Sequence, residues 1–62
     1  MDNFRVQLIP DNNGYPHVMV KASYHFVRDG ALIFLRRGGG SPEEVASFAP
    51  GQWCYTIKTE YV

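Results

Sequence analysis

Phe4, Val6 and Leu8 alternate with Arg5, Gln7 and Ile9 until Pro10 stops the run. A period of two predicts a strand with one buried face. The stretch Asp11-Asn12-Asn13-Gly14-Tyr15-Pro16 is turn-forming, and Asn13-Gly14 is its strongest signal. Over residues 17–28 the alternation is long. Val18, Val20, Ala22, Tyr24 and Phe26 share one side; Met19, Lys21, Ser23, His25 and Val27 share the other. Asp29-Gly30 separates this run from a third strand-like stretch, residues 31–37. Two such residues between strands predict a type I′ hairpin, because aspartate and glycine tolerate its positive φ angles.

Gly38-Gly39-Gly40 ends the third strand in a loop. Ser41-Pro42-Glu43-Glu44 fits a helix-capping box, which would make 44–49 a short helix carrying Val45, Phe48 and Ala49 on one face. A helix of about two turns has little stability of its own. The alternative, and the preferred reading, is a fourth strand entering a type II turn at Ala49-Pro50-Gly51-Gln52. That turn would set Phe48 opposite Trp53 and Ala46 opposite Tyr55. In the last strand, 52–61, Trp53, Tyr55, Ile57, Thr59 and Tyr61 oppose Gln52, Cys54, Thr56, Lys58 and Glu60. The expected fold is one all-β domain over residues 1–62. Its five antiparallel strands form a strongly bent meander or a small SH3-like or OB-like barrel, and the long second strand bends to serve both sides.

The passages Asp29-Gly30-Ala31-Leu32-Ile33-Phe34 and Val45-Ala46-Ser47-Phe48-Ala49-Pro50-Gly51-Gln52-Trp53 resemble short β-meander reading frames of bacteriophage and actinobacterial type. The resemblance implies a meander and a mobile-element origin. It implies no mechanism, because such frames have no assigned function.

Charge narrows the partners. Six Lys+Arg balance six Asp+Glu, so no net field draws the chain to nucleic acid, an anionic membrane or acidic substrates. At 45% hydrophobic and 15% aromatic the chain is too apolar to be disordered. One cysteine excludes an internal disulfide framework and fits a reducing compartment. The polar start Met1-Asp2-Asn3 does not read as a signal peptide, and a cytoplasmic location is expected.

The chemistry of catalysis is thin. His17 and His25 are eight residues apart on one strand, roughly 26 Å at about 3.3 Å per residue, too far to share a metal ion. Ser23, His25 and Cys54 are candidate nucleophile and base, but no carboxylate is placed to orient His25. No lysine follows the glycines as a phosphate loop needs, and Glu43 and Glu44 would point to opposite faces of a strand. The expectation is a protein that is not an enzyme, with no cofactor, metal or small-molecule substrate.

Binding is the alternative, and the hairpin register locates it. A two-residue turn pairs Val27 with Leu32, Phe26 with Ile33, His25 with Phe34 and Tyr24 with Leu35. Tyr24, Phe26, Ile33 and Leu35 then read as core. His25, Val27, Leu32 and Phe34, fringed by Ser23 and Arg36, read as a second face. That face would be the other wall of a barrel, a patch for a partner protein or a second copy, or a base-stacking platform. The protein-binding candidates are His25, Val27, Leu32, Phe34 and Arg36. The nucleic-acid alternative uses Arg28, Phe34, Arg36 and Arg37. A bland role for the arginines is to flank the apolar run 31–35 and keep it from aggregating. The expected function is a small non-catalytic binding module, a phage-type modulator. Single-stranded nucleic-acid binding is the runner-up.

Overall fold

The computed structural model describes residues 2–59. It is all-β, with β1 (Asp2–Leu8), β2 (His17–Ala22), β3 (Tyr24–Arg28), β4 (Ala31–Arg36), β5 (Glu43–Phe48) and β6 (Trp53–Thr59). Two antiparallel three-stranded sheets form, ordered β2-β1-β6 and β3-β4-β5. The strands therefore number six and not five, and they make two open sheets in place of a barrel. The 44–49 stretch is strand as far as Phe48 and not helix, because β5 completes its hydrogen bonding on the edge of β4, and Ala49 opens the turn that follows. The expected extension of the last strand to Tyr61 lies outside the described residues.

Local turn chemistry builds much of this. Asp29 and Gly30 sit at φ 52° and 84°, the two positive angles of a type I′ turn. The ladder beyond them has the register that turn dictates, from Arg28 opposite Ala31 to Tyr24 opposite Leu35. At the Ala49-Pro50-Gly51-Gln52 turn the Gln52 N–H donates to the Ala49 carbonyl at 3.0 Å. Gly51 there has φ 82°, as a type II turn requires at its third position. The turn does not close a hairpin, however. β5 pairs with β4 and β6 pairs with β1, so Phe48 and Trp53 approach the core from different sheets.

The core is small. Phe4, Val6 and Ala22 of the first sheet meet Leu32 and Phe34 of the second, with Leu8, Val20, Ala46, Phe48 and Trp53 packed around them. The Phe34 ring lies 5.3 Å from Phe4 and 6.2 Å from Phe48, centroid to centroid. The Trp53 indole N–H donates to the Gly30 carbonyl at 3.0 Å, tying the hairpin tip of the second sheet to β6 of the first.

This core reverses the face expected for β3 and β4. Leu32 and Phe34 are fully buried, while Ile33, Leu35, Tyr24 and Phe26 lie half-buried on the outside. The cause is Ser23. The long strand breaks there and crosses from one sheet to the other; strands that switch sheets do so through bends or bulges. Ala22 points inward and Tyr24 outward, so the corner takes one position out of the alternation. A slip of one residue exchanges the two faces of everything beyond it. Ser23 is held at the corner by its N–H on the Leu35 carbonyl at 2.8 Å, and its hydroxyl oxygen accepts from the Arg37 N–H at 3.0 Å.

A second irregularity acts on β6. The register with β1 shifts between Gln7 and Leu8, where Leu8 opposes Trp53 and Gln7 opposes Tyr55. Cys54 is the extra residue, so Trp53 turns inward while Tyr55 and Ile57 turn outward. Its exposed thiol reaches only the Leu8 carbonyl, at 3.6 Å. Cys54→Ser is therefore expected to change stability by less than about 1 kcal/mol in urea unfolding.

Candidate functional surfaces

Leu32 and Phe34 cannot present a surface to a partner in this fold, because both are enclosed between the sheets. Their strand neighbours His25 and Val27 share the inner side of the second sheet, but on its edge strand, where both remain exposed. The His25 ring packs edge-on against Phe4 at 5.1 Å and lies 5.6 Å from Phe34. Arg36 is ion-paired with Glu43 on the neighbouring strand. The residues expected to form one patch are thus divided between core, edge and a surface ion pair.

The outer side of the second sheet carries what the inner side was expected to carry. Tyr24 and Phe26 stand beside Leu35 and Ile33, forming one apolar surface. Two arginines fold onto it. The Arg37 guanidinium lies 4.7 Å from the Tyr24 ring centre and that of Arg28 5.4 Å from Phe26. Contacts of this kind contribute about 0.5–1 kcal/mol at exposed sites and shelter part of each ring. Glu44 stands opposite Leu35 on β5, so the row across the sheet reads Tyr24, Leu35, Glu44.

The outer side of the first sheet has a different character. β1 is its central strand, and the two registers set Arg5 between Met19 of β2 and Ile57 of β6. Gln7 lies between His17 and Tyr55, and Asn3 between Lys21 and Thr59. The Gln7 amide donates to the Pro16 carbonyl at 2.8 Å, which fastens the 9–16 loop to this end of the sheet. An open cleft of about 510 Å³ beside that loop is lined by Asp11, Asn13, Tyr15, Pro16 and His17.

His17 is therefore on the outer side of the first sheet, His25 on the inner edge of the second, and Cys54 at the β6 bulge. Ser23 is engaged at the corner. The sequence reading missed Arg5 as a surface centre. Arg5 and Met19 each fell on the polar side of their own strands, but nothing local showed that β6 would bring Ile57 beside them.

No family model, curated protein or solved structure matches the chain.

Proposed function

We propose that this chain is a non-catalytic binding module that works by self-association through the outer face of its second sheet. One observation carries the reading: Tyr24, Phe26, Ile33 and Leu35 form a continuous, half-buried apolar surface on the outer side of the sheet, with the side chains of Arg28 and Arg37 lying over two of its rings. Contiguous apolar patches on small proteins mark interaction sites. A domain with so small a core also gains most from an added apolar contact.

The charges favour a second copy as the occupant. A two-fold axis along β4 lays β3 of one copy over β5 of the other. Arg37, resting on Tyr24, then meets Glu44 of the other copy, since Tyr24 and Glu44 end the same row. The chain's zero net charge adds no repulsion between copies. The setting proposed for the module is a reducing cytoplasm, in keeping with a phage-type modulator.

Light scattering coupled to size exclusion tests this. The account expects twice the mass of one chain at about 100 μM. Ile33→Ser should give a folded monomer, because losing a buried aliphatic side chain costs about 1.5–3 kcal/mol, at least tenfold in affinity. A monomeric wild type at that concentration overturns the reading.

Single-stranded nucleic acid is the second reading, favoured by the stacking of Arg28 and Arg37 on Phe26 and Tyr24. Aromatic platforms flanked by cations are the elements such binding uses. Phe34 and Arg36 have no part in it, being buried and paired with Glu43 respectively. Oligonucleotide binding that weakens steeply with salt would support this reading over self-association.

A further inference from the structure

The outer face of the first sheet combines exposed apolar side chains with unanswered positive charge. Met19, Tyr55 and Ile57 are 56%, 47% and 45% exposed there. They surround Arg5 on the central strand, and Lys21 follows two residues along β2 from Met19. Among the described residues no strand position on this face is a carboxylate, although acids and bases balance over the whole chain; Asp11 lines the cleft with His17 at the loop end. Asp2 on the same strand points to the opposite side, 3.4 Å from Lys58. Charge is therefore segregated: this face is apolar and cationic.

Arg5 adds an independent observation. Its Nε is buried and has no hydrogen-bond partner, and the side chain makes no ion pair among the described residues. Buried polar atoms without partners are rare in folded proteins and call for an explanation. The Nε is enclosed, so an incoming carboxylate would meet the two terminal nitrogens, which are neither buried nor hydrogen-bonded to any described residue and offer a planar fork of donors that matches a carboxylate in a bidentate pair. Neighbouring apolar side chains would exclude water from that pair and strengthen it.

We propose that this face binds an extended acidic-apolar peptide segment of a partner protein. One carboxylate of the segment pairs with Arg5, and its apolar side chains lie against Met19, Tyr55 and Ile57. Lys21 draws the same negative charge from the rim. A second copy is disfavoured, because packing this face on itself sets cations against cations with no acid between them. Nucleic acid is disfavoured too: the strands of this face offer only the Tyr55 ring and the His17 imidazole, set on opposite sides of Gln7, whereas single-strand binding uses successive stacking platforms. The inference does not depend on self-association through the second sheet.

Fluorescence anisotropy with a labelled Leu-Glu-Leu-Glu-Leu peptide tests it, with Leu-Gln-Leu-Gln-Leu and an oligothymidylate as controls. The acidic peptide should bind, and the glutamine peptide should bind at least about tenfold more weakly, since a hydrogen bond to a charged group contributes about 1.5–3 kcal/mol. Arg5→Gln should cause a comparable loss and Arg5→Lys a smaller one. Met19→Ser should weaken binding while the chain stays folded by circular dichroism. Val45→Ser, an exposed position on the other sheet, should bind the peptide as the wild type does. Equal binding of the two peptides, tighter binding of the oligothymidylate, an Arg5→Gln variant with unchanged affinity, or no binding at about 1 mM would each overturn the proposal.

Discussion

Phe34→Ala is expected to unfold the chain. The ring is fully buried and touches both sheets through Phe4, His25 and Phe48. Removing a buried phenylalanine costs about 3–5 kcal/mol, from lost apolar transfer and the cavity left behind. A domain of this size has a net stability of about 3–5 kcal/mol, so the loss consumes nearly all of it. The variant should lose its β-type circular dichroism, or show it only with a urea midpoint near zero. The neighbouring Ile33, half-buried on the outer face, should tolerate serine with a far smaller loss of fold stability. A folded Phe34→Ala protein with near-native resistance to urea would mean that the ring is outside the core.

Gly30→Val is expected to have the next largest effect on stability. Gly30 holds φ 84°, a conformation that costs a β-branched residue about 1–3 kcal/mol. A Cβ at this position would also lie 3.2 Å from the Pro50 Cβ, tighter than ordinary contact. The hairpin tip would have to withdraw from the Ala49–Gln52 turn, and the Trp53 hydrogen bond to the Gly30 carbonyl would lengthen with it. The two effects together should cost more than about 2 kcal/mol in urea unfolding. Gly30→Asn, which accepts positive φ more readily, should recover part of that loss. A Gly30→Val protein as stable as the wild type would contradict the turn geometry and its seat against Pro50.

These two positions also separate what neighbouring residues dictate from what distant contacts dictate. Gly30 was legible because a type I′ turn is local chemistry: two residues set the backbone, and the backbone sets the register of the whole β3–β4 ladder. Pro50-Gly51 was legible for the same reason, and so was the inward side of β1, where Phe4 and Val6 alternate with polar residues. Phe34 was not. Its partner His25 followed from the turn, but which side of that pair faced the core depended on Ser23, which lies outside both strands' patterns and is joined to Arg37, fourteen residues away, by a hydrogen bond across the sheet.

The same limit explains the rest. The Ala49–Gln52 turn reads as a hairpin locally, and only the free edges of β1 and β4 divert its two strands into separate sheets. The Cys54 bulge, which turns Tyr55 and Ile57 outward, arises from pairing with a strand at the other end of the chain. The surface around Arg5 exists only once that pairing is made. Local alternation identified the strands; the layer each face belongs to came from contacts between distant residues.

The central claim is that the corner at Ser23 turns Leu32 and Phe34 inward and Ile33 and Leu35 outward. Nuclear Overhauser effects in the wild-type protein test it most directly. The account predicts cross-peaks from the Phe34 ring to the Phe4 ring, and from the Ile33 methyls to its cross-strand partner Phe26 but not to Phe4 or Val6. Cross-peaks from Ile33 or Tyr24 to Phe4 and Val6, with none from Phe34, would contradict it.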